Sequence, residues 1–316
     1  MSRVSLSVRR ASSSNGVYKG TRLIKVGLFE TTGLRLLSVI FIVALLQCGV
    51  LNAGETSLIV RGDDFGMTQG SLVAFERAFK EGILTCASMQ VPAPWFEAAA
   101  DLAKKNSTWC MGVHLTLIGE WYGYRWRPVL PWSKVKSIVD EDGFLLRYPE
   151  ELWEKKPRIE EMESEFRAQI LLAMKKGVNL QYIDFHYADY TKYPGFEMII
   201  RKLSREFGLP VSGWMEERRL RSVYSVPLGQ KKEVASKNLE QLTPGLWLWV
   251  FHPGINSPEQ GALVHVKGED FTGVGGVGLH RAEETDVLTS PEIKSLITRK
   301  SIRLTNYGEL RKRTVN

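Results

Sequence analysis

Apolar residues fall into two rhythms along residues 55–316. Seven short runs are nearly unbroken: Leu58–Val60, Thr85–Val91, Cys110–Leu117, Leu180–Phe185, Leu209–Gly213, Leu246–Phe251 and Ser301–Leu304. Runs of this length predict strands buried on both faces. Between them, apolar residues recur every three or four positions. Met162, Phe166 and Ile170 form one such stripe and Phe196, Ile199, Ile200, Leu203 and Phe207 another, so each predicts an amphipathic helix. Thr68 stands where an N-cap is wanted, before a helix carrying Leu72, Phe75 and Phe79. Strands alternating with helices predict an α/β fold with a parallel sheet covered on both sides, and leave open both a closed or distorted (β/α) barrel and an open doubly wound sheet. The aromatic-rich stretch from Gly119 to Lys156 breaks the rhythm and reads as an insert over one end of the sheet. No repeat or Pro/Gly/Ser linker divides residues 55–316, so they read as one domain.

Residues 1–54 follow another pattern. Sixteen uncharged residues, Leu36 to Leu51, have a dense apolar centre and are followed by Asn52-Ala53-Gly54. Ahead of them, Met1 to Arg35 holds seven Lys or Arg and one acid, Glu30. A basic stretch, an apolar stretch of about 11 residues and small residues after it predict a secretory signal, and hence an exported protein. An uncleaved anchor is the alternative, although the apolar stretch falls short of the roughly 20 residues of a typical membrane span. This division changes how the composition reads. The chain of 316 residues carries a net charge of +7, but +6 of it lies in that leader, and from Glu55 onward 35 basic residues face 34 acidic ones. A nucleic-acid-binding stripe is therefore not expected, and any membrane contact would come through the N-terminal segment. With 44% hydrophobic and 24% charged residues the chain is neither disordered nor a multi-span membrane protein. Cys48 follows Gln47, which does not suit a lipoprotein site; the remaining Cys86 and Cys110 read as two buried thiols.

Candidate chemistry clusters at the ends of the predicted strands. The first ends in Asp63-Asp64, the third in His114, the fourth in Asp184 and His186, and the sixth in His252. Parallel α/β folds place their sites at the carboxyl ends of strands, so four separate segments converge on one rim. One carboxylate and two imidazoles suit a divalent metal with open positions, and no cysteine is present to close a structural zinc site. Such a metal acidifies a water and polarises a carbonyl, and the second carboxylate of the Asp63-Asp64 pair can serve as general base. Both can reach one site only where the strand has ended and the turn at Phe65-Gly66 begins. His252, on a different strand end, is the candidate proton donor to a leaving group. Asp184 reads as the partner of a ligand histidine rather than as a ligand.

The segments DDFGMTQGS, GILTCASMQVPAPWF, GVHLTL with Glu120-Trp121 after it, DFH, HPG and ETDVLTSPE, in this order from about residue 58 to 297, resemble the YdjC-like carbohydrate deacetylase family, which includes chitooligosaccharide deacetylases. The resemblance covers nearly all of residues 55–316. It implies a distorted (β/α) TIM-like barrel of about seven strands, a divalent metal that is usually magnesium and sometimes zinc, and removal of acetyl groups from N-acetylated mono- or oligosaccharides. It also implies that Asp64, His114 and His186 are the metal ligands, Asp63 the general base and His252 the histidine near the leaving group. Two departures stand out. Arg61 occupies a position two residues before the aspartate pair where many members have Asn or His, and His186 is followed by Tyr187-Ala188 rather than completing His-x-His. Trp121, Tyr122, Tyr124, Trp126 and Trp132 offer flat surfaces for sugar rings, with Glu120, Arg125 and Arg127 as polar contacts, or else simply pack the insert.

Other signals carry less. Gly273, Gly275 and Gly278 match a dinucleotide-binding spacing but lie late in the chain, and read as a loop. Arg311-Lys312-Arg313 reads as a solvated end; His265 and His280 have no partner pattern; Asn106-Ser107-Thr108 fits a glycosylation sequon. A homodimer is compatible with the sequence. The competing functions are a carbohydrate-binding barrel without turnover and a different metal-dependent hydrolase, such as one cleaving phosphoesters.

Overall fold

A computed structural model describes residues 54–187, 192–265 and 276–315. Seven parallel strands form one curled, half-barrel sheet in the order β4-β3-β2-β1-β6-β5, with β7 also on β1. They are β1 (Thr56–Phe65), β2 (Cys86–Met89), β3 (Cys110–Leu115), β4 (Leu180–Phe185), β5 (Arg218–Arg219), β6 (Gly245–Phe251) and β7 (Arg303–Thr305). Along one edge β1 pairs with β6 from Thr56 to Gly62. Its other edge is shared, β7 taking Ser57–Ile59 and β2 taking Arg61–Phe65. The principal helices are α1 (Gln69–Glu81), α2 (Phe96–Lys105), α3 (Pro149–Glu154), α4 (Ile159–Lys175), α5 (Phe196–Phe207), α6 (Lys231–Glu240), α7 (Pro258–Gly261), α8 (Gly276–Thr289), α9 (Pro291–Arg299) and α10 (Tyr307–Val315). None of the helices among the described residues is long and apolar enough to cross a membrane.

Alternation along the strands divides the core. Leu58 and Val60 join the large cluster between sheet and helices, together with Phe75, Phe166, Phe196 and Ile199. Ile59, between them, faces the other way, into a smaller cluster with Cys86, Cys110, Tyr182, Leu246, Leu248 and Tyr307. The curl of the sheet encloses that second cluster. Gly112 on β3 makes the room it needs, because a Cβ there would lie 2.3 Å from the Tyr182 ring. Cys86 and Cys110 are free and buried within it, as expected.

The predicted strand Leu209–Gly213 shrinks to one parallel bridge, Val211 to Ile183 on β4. Seven residues later the same segment forms β5, the two-residue partner of β6. One stretch of chain thus touches both outer edges of the sheet. The charged pair Arg218-Arg219 gave no apolar run by which to expect β5. Thr68 caps α1 as expected, its hydroxyl accepting from Ser71 N at 3.0 Å. The insert is tied to the fold by the Glu165 carboxylate on α4, which accepts from Val129 N at 2.9 Å and Leu130 N at 3.0 Å. Within it Trp121 and Trp126 are buried, whereas Tyr122 is 68% exposed. The glycine pattern is corrected in part: Gly278 lies inside α8, packed on Gly261, rather than in a loop, while Gly273 and Gly275 lie outside the described residues. Residues 1–53, read above as a secretory signal, lie outside them too.

Gly112→Ala should destabilise the fold by about 1–3 kcal/mol through overpacking against Tyr182. Urea denaturation would measure this, and an unchanged midpoint would contradict the close packing of that ring.

Candidate metal centre and active site

The site begins with a defect in β1. Register between β1 and β2 slips between Gly62 and Phe65. Asp64 takes a left-handed backbone at φ 67°. A β-bulge of this kind re-aims a side chain without ending the strand. β1 therefore continues to Phe65, contrary to the expectation that it would stop first, and Asp63 and Asp64 still reach the same rim. Ile59, Arg61 and Asp63 share the inner face by ordinary alternation, and the bulge adds Asp64 to it.

Three donor atoms converge there. Asp64 Oδ1 is 3.4 Å from His114 Nε2 and 3.3 Å from His186 Nδ1, and the two ring nitrogens are 3.2 Å apart. Asp64 Oδ1 is buried and has no hydrogen-bond partner among the described residues. Donors bound to one cation at about 2.0–2.1 Å lie roughly 3.3 Å apart in tetrahedral geometry and roughly 3.0 Å apart in octahedral geometry. The triangle and its orphaned oxygen thus fit a divalent ion, and a carboxylate with two imidazoles is a suitable donor set.

A shell of charged groups holds these atoms. Asp184 Oδ2 accepts from His114 Nδ1 at 2.8 Å, which leaves Nε2 for the cluster. Asp184 is thus bonded to His114, the contact by which it would steady a ligand histidine. Glu120 Oε2 lies 3.0 Å from His186 Nε2 and does the same for the second imidazole. Arg61 donates to both oxygens of Asp63, each at 2.7 Å, and also lies 2.8 Å from Asp184 Oδ1 and 2.6 Å from Ser212 Oγ. That bonding accounts for an arginine beside a cation site, since its charge is spent on two carboxylates. Burial opposes the charge on Asp184, but Arg61 and His114 carry its pKa down to about 2. Burial likewise opposes Asp64, and Arg281 with the two histidines holds it well below the usual range.

His252 follows β6 and keeps a quarter of its side chain exposed. Its backbone N donates to Glu284 Oε2 at 2.6 Å, its Nδ1 lies 3.7 Å from the same oxygen, and its ring rests on Tyr224 with centroids 4.7 Å apart. Sequence reasoning missed Glu284 and Arg281, whose NH2 meets Asp64 Oδ2 at 2.7 Å. Both come from α8, one helical turn apart, and each is buried. The signal available was the spacing Arg-x-x-Glu that ends on Glu284, the first residue of the ETD segment. Arg125 and Arg127 hold the insert itself, Arg125 on Asp140 and Arg127 on the Asp142 carbonyl, both over the Phe144 ring. Trp121 pairs with His265 by a backbone bridge, and its ring lies 5.7 Å from the Arg281 guanidinium carbon.

Burial lowers the pKa of both cluster histidines, yet in the metal-free protein the surrounding carboxylates prevail. Asp63 and Asp184 raise His114 to about 9, and Glu120 and Asp64 raise His186 to about 10. A histidine whose folded pKa is raised stabilises the fold fully below its unfolded value near 6.5, and that contribution disappears as pH rises through the folded value. Thermal melts in chelator should therefore fall steadily between about pH 7 and pH 10. A flat or rising melting temperature over that range would refute the charge assignment.

Comparison with known proteins finds relatives over most of the chain. The YdjC-like protein family matches residues 57–299. A carbohydrate deacetylase of Enterococcus faecalis is 28% identical over 272 residues, covering 80% of this chain and 97% of that one. A carbohydrate deacetylase of Brevibacillus brevis is 29% identical over 262 residues, covering 80% and 99%. A crystal structure from Enterococcus faecalis V583, of a protein named for cellobiose-phosphate cleavage, superposes with a TM-score of 0.68 at 26% identity, covering 81% of this chain and 99% of that one. The bulged aspartate pair, the two strand-end histidines and this family match together place the chain in the YdjC-like family.

Proposed function

We propose that the protein is a metal-dependent carbohydrate N-deacetylase, hydrolysing the acetamide of an N-acetylated sugar to acetate and the free amine. The observation that carries this reading is the convergence of Asp64 Oδ1, His114 Nε2 and His186 Nδ1, with Asp63 grouped about the same His114. These three atoms would hold the cation. When bound, such an ion polarises the amide carbonyl and lowers the pKa of a water. Asp63 takes a proton from the attacking water. Its carboxylate is kept in place by the two-pronged Arg61 contact, so it cannot rotate away from the reacting face. His252 gives a proton to the departing sugar nitrogen; Glu284 holds its backbone N and lies 3.7 Å from its Nδ1. Support for a carbohydrate substrate comes from the two deacetylase relatives, which span nearly their whole length in the alignment.

Within this reading the substrate is an N-acetylglucosamine mono- or oligosaccharide, the metal is magnesium with zinc as the alternative, and Trp121 with the polar groups of the insert borders the sugar. The basic and apolar leader favours export, where the enzyme would meet extracellular or envelope glycans.

Acetate release from N-acetylglucosamine oligomers should require metal and stop on chelation. Asp63→Asn should keep its metal and lose about 100- to 10,000-fold in kcat, whereas His114→Ala should lose both metal and turnover. Metal-loaded protein that releases no acetate from any N-acetylated sugar would overturn the proposal.

A further inference from the structure

Arg281 makes an unusual set of contacts for a buried guanidinium. It is 2% exposed, and among the described residues its NH2 donates to Asp64 Oδ2 while Nε and NH1 have no hydrogen-bond partner. Its other neighbours are Trp121 and Tyr224, whose rings lie 5.7 Å and 5.9 Å from the guanidinium carbon, and the Tyr224 oxygen also helps to stabilise its charge. A cation stripped of water with most of its donors unused is costly to keep, and its single carboxylate contact does most to account for it.

That contact has a specific effect on the cluster. Asp64 has two oxygens, and Arg281 takes one of them on the side away from the histidines. The other is left facing His114 Nε2 and His186 Nδ1 with no competing donor. The carboxylate is thereby fixed to present one oxygen, not two. The arginine is itself held firmly. On the same helix, the Thr285 hydroxyl donates to Gly254 O at 2.8 Å and accepts from Gly254 N at 3.0 Å, and Gly254 N lies 3.3 Å from Arg281 O. Helix α8 also packs on α1, which follows the aspartate pair in the chain. The hold on Asp64 therefore comes from the protein and needs no metal.

We propose that Arg281 is a positioning residue that keeps Asp64 as a one-oxygen ligand and maintains the metal cluster, already formed, in the metal-free protein. This rests on the assignment of Asp64, His114 and His186 as metal ligands, and its test does not need turnover. A lone guanidinium this close to a cation site would, on charge alone, weaken metal binding. Fixing the ligand works in the opposite direction, so the two roles predict opposite signs.

The test is calorimetric titration of chelator-stripped full-length protein with Zn2+ and, separately, Mg2+, for wild type, Arg281→Met and Arg281→Lys. Arg281→Met should bind each metal about 10- to 100-fold more weakly, the range typical of losing an outer partner of a ligand. Arg281→Lys, which keeps a donor, should recover part of that loss. Unchanged or tighter binding by Arg281→Met would overturn the proposal. Should Arg281→Met fail to fold, the lysine variant decides alone: binding weakened by less than tenfold is expected, and tighter or unchanged binding refutes the positioning role. Wild-type protein that binds neither metal would instead overturn the ligand assignment. Metal binding without acetate release would count only against the deacetylase reading.

Discussion

Moving a carboxylate out of water costs several kcal/mol unless a partner meets its charge. Four carboxylates, Asp63, Asp64, Glu120 and Asp184, are each 5% exposed or less in this protein. Their neutralisation organises the inner rim of the sheet. Arg61 serves Asp63 and Asp184, Arg281 serves Asp64, and the two imidazoles are shared between Asp184, Asp64 and Glu120. Removing any one partner would leave a buried charge unmet, which is why these groups act as a unit rather than as separable contacts.

The unit is assembled from parts of the chain far apart in sequence, and that explains what could be read in advance. His114, Asp184, His186 and His252 announced themselves because strand ends in a parallel sheet gather on one rim. Asp63 and Asp64 were visible as a pair, but the bulge that lets both be used was not. A register slip depends on the neighbouring strand, and no residue within DDFG encodes where β2 will pair. Glu120 was read as a polar contact to the sugar; its carboxylate lies 3.0 Å from His186 Nε2, a placement set by how the insert folds back over the rim.

Arg281 and Glu284 were illegible for a different reason. A helix following a long polar stretch carries ordinary surface-type residues by composition, and only its packing against α1, α6, α7 and α9 makes two of them interior. The same reasoning applies to β5. Arg218-Arg219 became a strand because β6 offered an unpaired edge, while the apolar Leu209–Gly213 kept just one bridge. Tertiary pairing outweighed local pattern in both cases. The helices α1, α4 and α5, whose apolar stripes face the main core, were by contrast well marked.

The C-terminal helix looked from its basic residues like a solvated tail, yet its first residue, Tyr307, is wholly buried. The Tyr307 hydroxyl accepts from Ser212 Oγ at 2.5 Å and donates to Glu217 at 2.7 Å, and Ser212 Oγ in turn accepts from Arg61. The far end of the chain is therefore two side chains removed from the guanidinium that anchors the Asp63 carboxylate. Helix α10 fills part of the inner face of the half-barrel with Tyr307 and Leu310, and shortening the protein there would loosen the hold on Arg61.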